Sequence, residues 1–162
     1  MKDGREPYSP APLLGRAHLA IGIAGVLIFL ATGRYMDTSL AHLRGMADAP
    51  RALYRSGHIY ILLISLMHLL LGSYTAPRSG ALGRGAQYLA SFALTAALAL
   101  FVYGFWVETP LGQVERPMTR IAIELALAGT LLHCLTAAVF PARRCNVIRN
   151  ENADRHQETL GV

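Results

Sequence analysis

Four long apolar runs alternate with short polar segments along the chain. Residues 17–33, 56–77 and 86–107 contain no charged side chain, and residues 121–142 contain only Glu124. About 20 apolar residues are needed to carry a helix across the roughly 30 Å hydrocarbon layer of a bilayer. The first run reaches that length when extended back through Pro12-Leu13-Leu14-Gly15. Lipid offers backbone N–H and C=O groups no hydrogen-bond partners, so each run is expected to be a helix. The prolines at 7, 10, 12, 50, 77, 110, 117 and 141 all lie at or beyond the ends of the runs, as their missing N–H and ring clash require. The expected helices are about 13–33, 52–75, 86–108 and 118–140, joined by short connections. That pattern predicts an all-α, integral membrane, up-down-up-down four-helix bundle. Residues 141–162 read as a polar cytoplasmic tail.

Within each run the polar and small residues are not scattered. At about 100° per residue, His18, Gly22, Gly25, Phe29 and Thr32 share one stripe of the first helix. Tyr54, His58, Ile61, Ser65, His68 and Gly72 share one stripe of the second. Ala122, Ala126, Gly129, His133, Ala137 and Phe140 do so on the fourth. Polar stripes on helices in lipid are expected to turn inward. Counting along antiparallel helices places His18, His68 and His133 in the same half of the membrane. His58 lies ten residues from His68, about 15 Å along the helix, and stands apart.

Composition supports this reading. Of the 162 residues 53% are hydrophobic and only 15% charged, where a soluble domain carries about 25%. The net charge of +5 comes from 15 Lys and Arg against 10 Asp and Glu. These cations fall between the apolar runs rather than on one basic face, which argues against a nucleic-acid partner. Lys2, Arg5, Arg16, Arg78, Arg84, Arg143, Arg144, Arg149 and Arg155 lie on the side of the termini, and Arg34, Arg44, Arg51, Arg55, Arg116 and Arg120 on the other. The bias places both termini in the cytoplasm. The first run is longer than the h-region of a cleaved signal peptide and is followed directly by Arg34-Tyr35-Met36.

Cys134 and Cys145 form no CxxC or CxxCH motif, which excludes covalent c-type haem attachment. No GxGxxG, GxxxxGK[ST], HExxH or GxSxG motif occurs. Glu124 is expected to pair with Arg120 one turn away and to face away from His133. Arg34, Tyr35, Arg44, Arg51, Tyr54 and Arg55 form an Arg/Tyr-rich outer end, with His42 in the loop.

Two readings of the histidines follow. In one, Gly22 and Gly25 leave a hollow beside His18 that holds a flat cofactor, haem b, ligated by His68 with His18 or His133; His58 would serve a second haem. In the other, the glycines bring helices together and the histidines hydrogen-bond across them. A metal ion without porphyrin is a smaller version of the first reading.

At these residues the chain resembles small bacterial four-helix membrane b-type cytochromes. The likeness rests on His18, His68, His133, Gly22, Gly25 and the Arg-rich helix ends. The segments GRAHLAIGIAGVLIFLATGRYMD and RALYRSGHIYILLISLMHLLLGSY also resemble parts of uncharacterised small bacterial four-span membrane proteins. The resemblance implies a bacterial inner-membrane location and electron transfer through haem b, with quinone and a redox partner. Helix 3 carries no histidine, and the spacing of ten between His58 and His68 is short for two stacked haems. The second functional expectation is a non-catalytic membrane subunit or assembly factor of a larger complex. A transporter would show more spans or helices broken at the midplane.

Overall fold

The computed structural model describes residues 11–76, 78–110 and 115–140, with only the backbone at 11 and 12. The tail expected over 141–162, with Cys145 and His156, lies outside the described residues, as does the segment before residue 11. Four helices form the fold: α1 Ala11–Thr38, α2 Asp48–Tyr74, α3 Ala81–Val107 and α4 Pro117–Val139. Each is long and apolar enough to cross a membrane, so the chain is an all-α four-helix bundle of the multi-pass membrane type.

Contacts along the helices establish the directions. Gly15 meets Gly72, Gly22 meets Leu69, Gly25 meets Ser65 and Gly33 meets His58, so α2 runs back along α1. Tyr54 meets Phe105 edge to face and Tyr60 meets Phe101 at a tilt, which turns α3 back along α2. Gly83 meets Phe140 and Gly104 meets Thr119, which turns α4 back along α3. This is the up-down-up-down order.

The glycine stripe of α1 is what sets the α1–α2 spacing. A Cβ at Gly22 would stand 2.7 Å from the Leu69 side chain. A Cβ at Gly25 would overlap the Ser65 hydroxyl. The expected hollow beside His18 is therefore filled: Leu69 and Ser65 occupy it. Small residues here let two backbones approach, the usual device between helices in lipid.

Three boundaries differ from expectation by four residues or more: the end of α1 and the starts of α2 and α3. α1 runs on through Gly33 to Thr38, because Tyr35 and Met36 pack on the core and Tyr35 meets Trp106 at 4.9 Å between ring centres. Arg34 and Asp37 pair on the same turn at 3.2 Å. The α1–α2 connection then turns through Ala41, His42 and Leu43, all at positive φ (46°, 57° and 62°), a region non-glycine residues rarely enter. α2 begins at Asp48 with Pro50 in its first turn, and α4 begins on Pro117, where a missing N–H costs nothing. Gly80, at φ 75°, makes the turn into α3.

The interior is built from Ile61, Ile64, Leu94, Ala97, Leu98, Phe101, Phe105 and Ala122. Leucine, isoleucine and aromatic side chains cover the outward faces, among them Leu27, Leu63, Phe92 and Leu131, as lipid-facing helices require.

Candidate functional site: a four-helix imidazole–hydroxyl chain

One polar group from each helix converges at one level of the bundle. His18 of α1 and His68 of α2 are 2% and 0% exposed. Their Nδ1 atoms are 2.8 Å apart, a direct ring-to-ring hydrogen bond, with ring centres 4.9 Å apart. The other His18 nitrogen, Nε2, lies 2.9 Å from the Ser91 hydroxyl of α3. That same oxygen lies 3.2 Å from Nε2 of His133 on α4 and 2.8 Å from the Gln87 carbonyl. The order is therefore His68, His18, Ser91, His133.

Neutral imidazole carries one N–H and one lone pair, and a hydroxyl carries one O–H and two lone pairs. With the Ser91 O–H on the Gln87 carbonyl, His18 and His133 both donate Nε2–H to Ser91 and His68 donates Nδ1–H to His18, which leaves a lone pair on Nε2 of His68. When the Ser91 O–H turns from that carbonyl to an imidazole, the chain takes one of two directions: His68 to His18, His18 to Ser91 and Ser91 to His133, or every donation reversed, His133 to Ser91, Ser91 to His18 and His18 to His68. Nε2 of His68 is buried and makes no well-formed hydrogen bond among the described residues, with the Leu94 backbone as the neighbouring polar group of this ring.

The chain reaches the bundle surface at His133, which is half-buried. It lines a cleft of about 380 Å³ together with Leu70, Leu71, Tyr74, Arg78 and Gln87. Gln87 pins the adjoining connection: its Nε2 donates to the Ala76 carbonyl at 3.2 Å, and its Oε1 accepts from the Arg78 N–H at 3.4 Å.

His58 sits elsewhere. It stacks on Phe29 at 3.9 Å between ring centres, and its Nδ1 lies 3.0 Å from the Thr32 hydroxyl. Thr32 donates to the Phe29 carbonyl at 2.9 Å, so it accepts from His58. Thus the structure joins His18, His68 and His133 through Ser91, and leaves His58 in a separate pair on the same α1–α2 interface.

Two groups escaped the sequence reading. Ser91 belongs to no motif that singles it out in the sequence. Its signal was the i, i+4 row Gln87, Ser91, Thr95, the one polar stripe inside α3. Glu108, only 6% exposed, is the other. Its Oε1 accepts from the Met118 N–H at 2.6 Å, and its Oε2 accepts from the Thr119 N–H and hydroxyl at 3.1 and 2.7 Å. A carboxylate thereby caps the N-terminus of α4, where the helix dipole favours it. Arg116 approaches it at 3.9 Å and donates to Ser56 of α2 at 3.1 Å. Gly104 makes room: a Cβ there would stand 3.1 Å from the Glu108 carboxylate. Glu124, by contrast, pairs with Arg120 at 3.0 Å on the exposed face, as expected.

No known protein family, curated protein or solved structure matches the chain.

Proposed function

We propose that the chain is a proton-handling membrane subunit whose working part is the His68–His18–Ser91–His133 chain. The observation that supports it is the convergence of four hydrogen-bonding groups, one per helix, each able to both give and take a proton. Buried polar side chains in a membrane bundle are costly and mark relays or substrate paths. An imidazole–hydroxyl chain passes a proton when one end gains it and the other loses it, each member handing on its own. A relay does no work alone, so the subunit belongs in a larger membrane assembly. The arginine distribution favours a cytoplasmic side for both termini and for the cleft beside Arg78, and the resemblance to small bacterial membrane proteins favours a bacterial inner membrane.

A second reading, electron transfer through haem b with quinone as partner, draws on one observation. His68 keeps Nε2 free while its Nδ1 is engaged by His18, which is how a metal-bound imidazole is oriented by its other nitrogen. Haem would supply one-electron chemistry there. The donor suits it; the space does not. Leu69 and Ser65 fill the glycine notches of Gly22 and Gly25. His18, the expected second ligand, has both ring nitrogens engaged, Nδ1 by His68 at 2.8 Å and Nε2 by Ser91 at 2.9 Å.

An absorption spectrum of protein purified from haem-replete cells separates the readings. The relay reading expects no Soret band. A Soret band that disappears in His68→Leu would overturn it in favour of haem.

A further inference from the structure

The polar chain ends abruptly in one direction. From His68 toward the α1–α2 connection, the α2 stripe offers Ser65, then Ile61, then His58. Ser65 spends its hydroxyl on the Ile61 carbonyl at 2.6 Å. Seven residues, about 10 Å of helix, then separate it from His58, and the side chain between them on the stripe is Ile61, fully buried. The other helices repeat this. Between His18 and Thr32 the α1 stripe holds Gly22, Gly25 and Phe29. Between Thr95 and Glu108 the buried face of α3 holds Ala97, Leu98, Phe101, Gly104 and Phe105. Between Thr130 and Thr119 the inward side of α4 holds Gly129, Ala126 and Ala122. Ile61, Phe101 and Ala122 are 0%, 5% and 0% exposed. Beyond this layer polar groups return: His58, Thr32, Thr109, Glu108 and Arg116. In the opposite direction there is no such layer, because His133 itself lines the open cleft.

We propose that the relay is one-sided: it exchanges protons through the cleft beside Arg78 and is sealed from the opposite membrane face by the Ile61–Phe101 layer. This rests on the relay reading. A proton arriving at Nδ1 of His133 releases the Nε2 proton of His133 to Ser91. Ser91 passes its own proton to Nε2 of His18, and His18 passes its Nδ1 proton to Nδ1 of His68. One proton has entered and His68 holds it as imidazolium; the donations now run the other way, and the reverse sequence returns it. A proton cannot go further, because among the described residues no side chain within hydrogen-bond reach of His68 continues the chain through the apolar layer, and a proton there would have no imidazole or hydroxyl to hold it. The device is a proton store open to one compartment. It suits a partner reaction that takes up or releases protons on the cleft side without short-circuiting the membrane.

The test uses the full chain in liposomes under a potassium–valinomycin potential, with a pH-sensitive dye inside. Wild-type vesicles should leak protons no faster than protein-free vesicles. Ile61→Ser opens the layer and should raise the flux about tenfold or more, the factor that follows from a barrier lowered by about 1.4 kcal/mol. Adding His18→Phe to Ile61→Ser should return the flux to the protein-free level. Phe101→Ser provides an independent opening should Ile61→Ser not fold. Wild-type flux that His18→Phe abolishes would overturn the seal while leaving the relay. Flux in Ile61→Ser that persists with His18→Phe would overturn the relay. No flux in either folded opening variant would overturn the layer as the barrier.

Discussion

Removing the Ser91 hydroxyl is the sharpest structural perturbation of the site. Its oxygen is shared by His18 at 2.9 Å and His133 at 3.2 Å. His18 is 2% exposed, so Ser91→Ala leaves its Nε2 buried and unpaired, at a cost of about 1–3 kcal/mol. His133 is half-buried and opens on the cleft, so its loss is nearer the net value of one hydrogen bond, about 0.5–1.5 kcal/mol. The Gln87 carbonyl loses only a second donor. The sum is about 1.5–4.5 kcal/mol. An ordinary hydrogen bond between membrane helices contributes about 0.6 kcal/mol, so the two cases are separable. The assay is reversible unfolding in mixed detergent micelles, comparing Ser91→Ala with Ser91→Thr, which restores the hydroxyl, and with Thr95→Ala. Thr95 donates only to the Ser91 carbonyl at 2.9 Å and should lose about 1 kcal/mol or less. A Ser91→Ala loss no larger than that of Thr95→Ala would refute the hub assigned to Ser91.

Other positions give equally definite outcomes. Gly25→Ala forces Cβ into Ser65 and should destabilise by about 1–3 kcal/mol, whereas Gly85→Ala, with open space around its Cβ position, should be neutral or slightly stabilising; thermal denaturation in detergent distinguishes them. Glu108→Gln halves the cap on α4 and strips Arg116 of its carboxylate, so a loss of about 2–4 kcal/mol is expected. Glu124→Gln, on the exposed face, should cost clearly less in the same unfolding experiment. His58→Phe keeps the stack on Phe29 and gives up the bond to Thr32, a loss of about 0.5–1.5 kcal/mol, and should leave the nitrogen resonances of His18 and His68 in place.

The fold was largely legible because lipid imposes simple demands. Span length, the absence of charge and proline positions located all four helices, and the angular stripes identified the buried faces through His18, Gly25, Ile61, Ser65 and His68. The end of α1 was misjudged, since Arg34 and Asp37 look like a loop until Tyr35 is seen against Trp106. The site was half legible. Depth counting brought three histidines to one level, but spacing within a helix carries no information on what fills a glycine notch. Leu69, which lies beside His68 in sequence, takes the space beside Gly22. Ser91 was hidden because its partners come from three other helices. Glu108 was hidden because the groups it caps are backbone N–H groups, which no side-chain pattern records.

The central claim is a chain of hydrogen bonds with His18 and His68 in direct contact, and nitrogen-15 NMR of histidine-labelled protein in lipid tests it. The account predicts a nitrogen–nitrogen coupling across the hydrogen bond between the two Nδ1 atoms, lost in His18→Phe and in His68→Phe. Two buried histidines without that coupling, each with nitrogen shifts of an isolated neutral ring, would contradict it.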